Sequence, residues 1–243
     1  MPTVVRWAVA QMLVWGIALA NATVAAQPPT AEQCRQQYAK DRAAQMKCAR
    51  VAFVTPGSQA QPAPRLVSPL ANAQVIFGFF DRRFPGFNNG LEHLGVDYAA
   101  KAGAAVAAIC DGMVVSNNTS PADIVSAVVM IEHECEQPLG KVYGYYGHVQ
   151  SDLIPGDFVS AGSIIGTVRD WAGNSHLHLG MSTAMHKDDW GLAPRGATLQ
   201  AIEAQGWLNP LNFFAGAPPA RAARGVAPKA GAKAAAGKAK RKP

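Results

Sequence analysis

The chain has 243 residues, 49% of them hydrophobic and 16% charged, with a formal net charge of +6. That apolar content excludes a wholly disordered chain, and the lack of a three- or seven-residue repeat excludes a collagen-like or coiled-coil one. The charge is uneven: Arg221, Arg224, Lys229, Lys233, Lys238, Lys240, Arg241 and Lys242 form a basic tail without an acid, whereas residues 27–215 hold 13 cations against 16 acids. The basic character belongs to the tail, so no specific nucleic-acid role is expected of the body.

Residues 1–26 read as a signal peptide. Arg6 is the only charge in them, and WAVAQMLVWGIALA follows it. Ala20-Asn21-Ala22 and Val24-Ala25-Ala26 offer small residues at a cleavage site, with cleavage expected after Ala26. The competing reading is an uncleaved anchor, but the run is short for a membrane span of about 20 residues. No later stretch is long and apolar enough. The mature protein is therefore expected to lack a transmembrane segment and to be periplasmic or secreted.

Residues 27–65 form an N-terminal extension: a polar, helix-forming stretch to about residue 50, then a Pro-rich linker over 55–65. From 66 to 215 short apolar runs recur between Gly, Pro, Asn and Asp: AQVIFGFF, GVDYAA, AAVAAIC, GMVV, AVVMIEH, VYGYYGHV, SIIGTV and LHLGM. This pattern predicts an all-β, antiparallel domain, a β-sandwich or barrel-like pair of sheets behind a short helical N-terminal extension. A helical turn is expected at 198–205. Residues 216–243, rich in Ala, Gly, Pro and Lys, cannot bury a core.

The chain has four cysteines, Cys34, Cys48, Cys110 and Cys135. An even number in an exported chain suggests two disulfides, with three connectivities open. If GMVV and AVVMIEH form a hairpin, Cys110 falls opposite Cys135, within reach of a cross-strand bridge. Cys34 and Cys48 then pair by exclusion. On one continuous helix they would stand about 21 Å apart, so that bridge requires residues 31–50 to fold back on themselves. A zinc-thiolate site is the alternative, but it lacks any CxxC pair.

Five of the six histidines lie beyond residue 90 together with the strand-like runs, or close to them: His93, His133, His148, His176 and His178; the sixth is His186. In His176-Leu177-His178 the two imidazoles share one face of a strand, because side chains alternate, and Leu177 points into the core. His93 and Asp97 lie four residues apart around Gly95, a spacing that lets both turn inward. Neutral imidazole and carboxylate together suit Zn²⁺. Each motif alone has a plain structural reading: HxxxD recurs by chance, and a single buried histidine is often only a packed polar group. Their joint presence on one β region, in this order, is what points to chemistry.

In these motifs the chain resembles the lysostaphin-like, or LytM-type, zinc metallopeptidases of peptidoglycan, which share the duplicated hybrid motif fold. GLEHLGVDYAAKAGAAVAAICDGMVV, VYGYYGHVQSDLIPGDFVSAGSIIGTV and NSHLHLGM carry the resemblance, over about 66–212. It implies a zinc metallopeptidase domain at 66–215 that binds one Zn²⁺ through His93, Asp97 and His178. His148 and His176 would form the catalytic pair beside a zinc-bound water that attacks the scissile amide. Three protein ligands leave the open position that catalytic zinc requires. The implied substrate is the peptide stems and cross-links of peptidoglycan. The chain departs from the family where Asn174-Ser175 precedes HLH and Leu179-Gly180 follows it.

His133 is expected to be structural and His186 an exposed loop residue, with one or two of Tyr143, Tyr145 and Tyr146 contacting substrate. Residues 27–65 are expected to pack over the groove. The basic tail suggests attraction to anionic wall or membrane-surface polymers, or simply a solvated segment. Two other functions compete. One is a non-catalytic family member that binds peptidoglycan or activates another wall hydrolase, although such proteins usually lack one of the five residues. The other is a phosphocarrier domain of sugar transport, which export and the HxxxD pair argue against.

Overall fold

The N-terminal stretch folds back on itself. Helix α1 (Ala31–Gln37) and helix α2 (Arg42–Phe53) are separated by a turn, and the Cys34–Cys48 disulfide closes them with a Cα–Cα distance of 5.6 Å. Thr30 and Gln33 cap α1 reciprocally: the Gln33 N–H donates to Thr30 Oγ1 at 3.2 Å and the Thr30 N–H to Gln33 Oε1 at 2.7 Å. Asp41 Oδ1 accepts from the Ala44 N–H at the start of α2. The computed structural model describes residues 29–37, 39–53, 66–72, 74–119, 127–187, 191–194 and 196–214. The expected signal peptide, the Pro-rich linker and the basic tail lie outside these residues.

The strands follow in chain order, most with the apolar, β-branched composition that suits a pleated surface. They begin with β1 (Gln74–Phe77), a short helix α3 (Pro85–Asn88), β2 (Leu91–His93), β3 (Gly95–Ala99) and β4 (Ala105–Ala107). Next come β5 (Asp111–Asn118), β6 (Val128–Glu134), β7 (Lys141–Gly147), β8 (Val149–Gln150), β9 (Phe158–Val159) and β10 (Ile164–Val168). β11 (His176–Ser182), β12 (Leu192–Pro194), α4 (Leu199–Ala204), β13 (Trp207–Leu208) and α5 (Leu211–Phe214) complete the chain. The largest sheet has eight strands in the order β1-β3-β11-β7-β6-β5-β9, with β13 also paired to β11. A three-stranded sheet (β4-β10-β8) and a two-stranded one (β12-β2) pack with it, and the strands of all three sheets pair antiparallel among the described residues.

Alternation gives the large sheet two buried faces. One carries Val96, Tyr98, Leu177, Leu179, Val129, Ile131, Val142 and Tyr146 and packs on Val106, Val149, Ile165 and Val168 of the smaller sheet. The other carries Val128, Met130, Tyr143 and Tyr145, covered by Leu94, Ala193, Ile202 and Trp207. Thr198 caps α4, accepting from the Ala201 N–H at 3.2 Å. The Cys110–Cys135 disulfide joins the chain just before β5 to the chain just after β6. These strands pair Asp111 with Glu134 and Val114 with Ile131, and an irregularity then shifts the register so that Ser116 meets Met130.

The helical extension does not lie over the sheet centre. Cys34, Met46 and Ala49 pack against Met113 of β5 and Phe158 of β9, at the opposite end of the sheet from β1. Arg35 forms an ion pair with Asp157 there. The segment AAVAAIC contributes only the short β4. No helix among the described residues is long and apolar enough to cross a membrane.

Candidate metal centre

β3 and β11 run antiparallel with His178 directly opposite Asp97 and His176 opposite Ala99. Asp97, His176 and His178 therefore project from one face of the large sheet, while Leu177 points into the core on the other. His93 reaches the same place from β2, which the pairing of Leu192 with His93 holds in position. His93 Nε2, Asp97 Oδ1 and His178 Nδ1 form a near-equilateral triangle, with separations of 3.2, 3.0 and 3.0 Å. Ligands about 2.0 Å from a tetrahedral zinc would stand roughly 3.3 Å apart, so the residues fit such an ion. All three are buried. Lone pairs converging this closely are costly unless a proton or a cation sits among them.

The surroundings fix each group. His93 Nδ1–H donates to the Gly78 carbonyl at 2.7 Å, which leaves Nε2 with its lone pair turned to the cluster. Phe84 stacks on the His93 ring at 4.4 Å. The His178 ring lies between two glycines: a Cβ at Gly95 would come within 2.5 Å of it, and one at Gly191 within 2.1 Å. Burial raises the Asp97 pKa, but the close His178 and His93 rings outweigh it and hold the carboxyl well below the usual range. Burial pushes the His178 pKa down against the pull of Asp97. The charged carboxylate of Asp97 and the lowered pKa of His178 both favour the deprotonated ligands that a divalent metal needs.

His148 arrives by a backbone reversal. It stands between β7 of the large sheet and β8 of the small one, and simple alternation would send it into the core with Tyr146. Its φ of 59° places it in the left-handed region instead. The His148 N–H donates to the Ala127 carbonyl at 2.7 Å and its carbonyl accepts from the Arg169 N–H at 2.9 Å. The ring then meets that of His176 with centroids 4.5 Å apart, and that of His178 at 6.5 Å. His176 Nδ1–H donates to the Asn174 carbonyl at 2.7 Å, so in the neutral ring Nε2 is the acceptor. That nitrogen lies 3.7 Å from Asp97 Oδ2, at the edge of the cluster.

The structure thus brings His93, Asp97, His178, His148 and His176 together and places the other candidates elsewhere. His133 is fully buried on the opposite face: its Nδ1–H donates to the Cys110 carbonyl at 3.0 Å, and Nε2 accepts from the Tyr146 hydroxyl at 2.8 Å. Burial lowers its pKa to about 4. Tyr146 also accepts from the Ile109 N–H. The three tyrosines are not substrate contacts, because all are buried: Tyr143 donates to Glu132, and Tyr145 packs on Trp207. Nor is His186 a free loop residue. It stacks on Trp207 at 4.7 Å, contacts Ser182 Oγ at 3.1 Å, and its N–H donates to the Tyr145 hydroxyl. Trp171, which the sequence did not single out, lies against both His148 and His176.

Fold and cluster together define an antiparallel β domain with a three-residue candidate metal centre beside a histidine pair. Residues 91–189 match the sequence model of Peptidase family M23. No curated protein matches the chain. Among solved structures it is similar to the NMR solution structure of lysostaphin, with 22% identity, a TM-score of 0.47, and 70% of this chain and 62% of that chain covered. It is also similar to the antimicrobial peptidase lysostaphin from Staphylococcus simulans, with 22% identity, a TM-score of 0.44, and coverage of 69% and 61%. A third is a zinc containing peptidase from Vibrio cholerae, with 23% identity, a TM-score of 0.39, and coverage of 49% and 37%. The chain spans less than two thirds of the lysostaphin chains it matches.

Proposed function

We propose that the chain is an exported, zinc-dependent endopeptidase that hydrolyses peptide cross-links of bacterial peptidoglycan, with residues 66–215 as its catalytic unit. The observation that carries this reading is the triangle of His93 Nε2, Asp97 Oδ1 and His178 Nδ1, which fits a tetrahedral zinc with one position left open. The match of residues 91–189 to Peptidase family M23 supports peptide hydrolysis as the reaction. The resemblance of the HxxxD, GHV and HLH stretches to LytM-type enzymes supports peptidoglycan as the substrate. Two disulfides and the signal-like residues 1–26 support export to the periplasm or beyond.

His93, Asp97 and His178 would hold the zinc, which when bound supplies Lewis acidity for the scissile carbonyl and the attacking water. His176 is set up to take a proton at Nε2, because its Nδ1–H is committed to Asn174. Once protonated, that ring is a donor at both nitrogens and can return the proton to the departing amine. His148, packed against it, is placed to hydrogen-bond the oxygen on which charge develops. The buried carboxylate of Asp97 balances the positive charge on the metal and any on the rings. The basic tail would draw the enzyme to anionic wall or membrane-surface polymers.

The test is digestion of purified peptidoglycan sacculi with residues 27–243, products being resolved by mass with and without a chelator. Chelator-sensitive loss of cross-linked species is the expected result. Intact cross-links with zinc bound would overturn the enzymatic reading in favour of a non-catalytic, wall-binding or activating role.

A further inference from the structure

Trp171 touches both members of the histidine pair. Its indole centroid lies 4.9 Å from that of His148 and 5.6 Å from that of His176, in a nearly parallel stack on the latter. The two imidazoles are buried, whereas Trp171 is only half-buried, so the indole forms part of their cover towards solvent. The turn that carries it is tightly specified. The Trp171 N–H donates to Ser175 Oγ at 3.0 Å, and the Trp171 carbonyl accepts from the Asn174 N–H at 2.7 Å. Ala172 takes a φ of 38° and Gly173 one of 87° to turn the chain. The same Asn174 carbonyl receives the His176 Nδ1 proton. Arg169, two residues before the tryptophan, is tied to the His148 carbonyl. One short loop therefore holds the indole, the His176 ring and the His148 backbone in register.

His148 needs such support. Its left-handed backbone takes it out of strand geometry, so a neighbouring side chain rather than the sheet must fix its ring. Three of the four non-glycine residues with positive φ among the described residues, Phe80, His148 and Ala172, lie in the loops around the cluster. We propose that Trp171 is a positioning residue that holds the His148 and His176 rings in the relative orientation they need beside His93, Asp97 and His178. The inference rests on the reading of this pair as the proton-handling groups of the reaction.

The test compares Trp171→Ala with Trp171→Phe in the zinc-loaded chain. In the alanine variant kcat should fall about ten- to a hundredfold, the size of effect expected from a small misplacement of reacting groups. KM and bound zinc should be unchanged, and phenylalanine should restore most of the loss. A raised KM with unchanged kcat would overturn the proposal in favour of a substrate contact. Unchanged turnover, or phenylalanine as damaging as alanine, would overturn it outright. A second readout needs no activity: NMR couplings about χ1 of His148 and His176 should become averaged in Trp171→Ala, while those of buried His133 stay fixed. Single fixed rotamers for the pair would refute positioning. If the wild-type protein cleaves nothing, the proposed function fails but the coupling experiment still decides this point. Should the alanine variant not fold, Trp171→Leu, which fills space without an aromatic ring, takes its place.

Discussion

His178 sits directly across the β3–β11 ladder from Asp97, with Nδ1 3.0 Å from Oδ1. Two strands far apart in sequence thus deliver a candidate ligand each to one point, and sheet register sets their separation. Asp97→Asn keeps the shape of this contact and removes its charge. Zinc affinity, measured by competition with a chromophoric chelator, should fall by at least about a hundredfold, beyond what is usual for changes around the ligands. Full retention of zinc by this variant would remove Asp97 from the ligand set.

Gly191 should not tolerate a side chain. It has a φ of +134°, and a Cβ there would stand 2.1 Å from His178 Nε2. Gly191→Ala must displace the imidazole or the loop, at about 1–3 kcal/mol for overpacking. Denaturant unfolding should show that loss, and metal affinity should drop with it. A variant as stable and as metal-competent as the parent would mean that the ring moves aside freely.

The two disulfides should differ in reach. Cys110–Cys135 closes 25 residues between the adjoining ends of β5 and β6 in the large sheet, and by chain entropy its removal should cost about 3.5 kcal/mol. Cys34–Cys48 closes 14 residues in a hairpin docked at the far end of that sheet. Replacing Cys34 and Cys48 with Ser should raise amide exchange in α1 and α2 while zinc affinity holds. Equal loss of metal binding from both pairs would contradict this separation.

Buried His133 should give the stability curve an acid limb. Its pKa falls from 6.5 to about 4 on folding because burial disfavours the charged ring. The unfolded chain binds the proton first, so stability declines as pH drops from about 6.5 and levels off near 4. The difference corresponds to about 3 kcal/mol. NMR titration should show His133 neutral at pH 5.5, and a normal titration there would refute the assignment.

Much of the site was legible because strand geometry is periodic. HxH read as two rings on one face, and the apolar runs read as strands, since both depend on a two-residue repeat. The alignment of Cys110 with Cys135 followed from hairpin register, although the shift between Val114 and Ser116 did not. What escaped depends on contacts distant in sequence. Periodicity would put His148 in the core with Tyr146, and only its left-handed backbone turns it out. Trp171 lies in a loop with no pattern. Tyr143 and Tyr145 read as candidate substrate contacts until Glu132 and Trp207 are seen to take them. The placement of α1 and α2 rests on Met113 and Phe158, more than 60 residues away.

The reversal at His148 makes selection for stability and selection for chemistry disagree at one position. A left-handed backbone costs an ordinary residue about 1–2 kcal/mol that glycine, and in part asparagine, escapes. A library screened only for heat resistance should therefore drift towards Gly or Asn at position 148, and the winners should be inert. Turnover, or the state of the His176 ring, has to be scored alongside survival if the imidazole is to be kept.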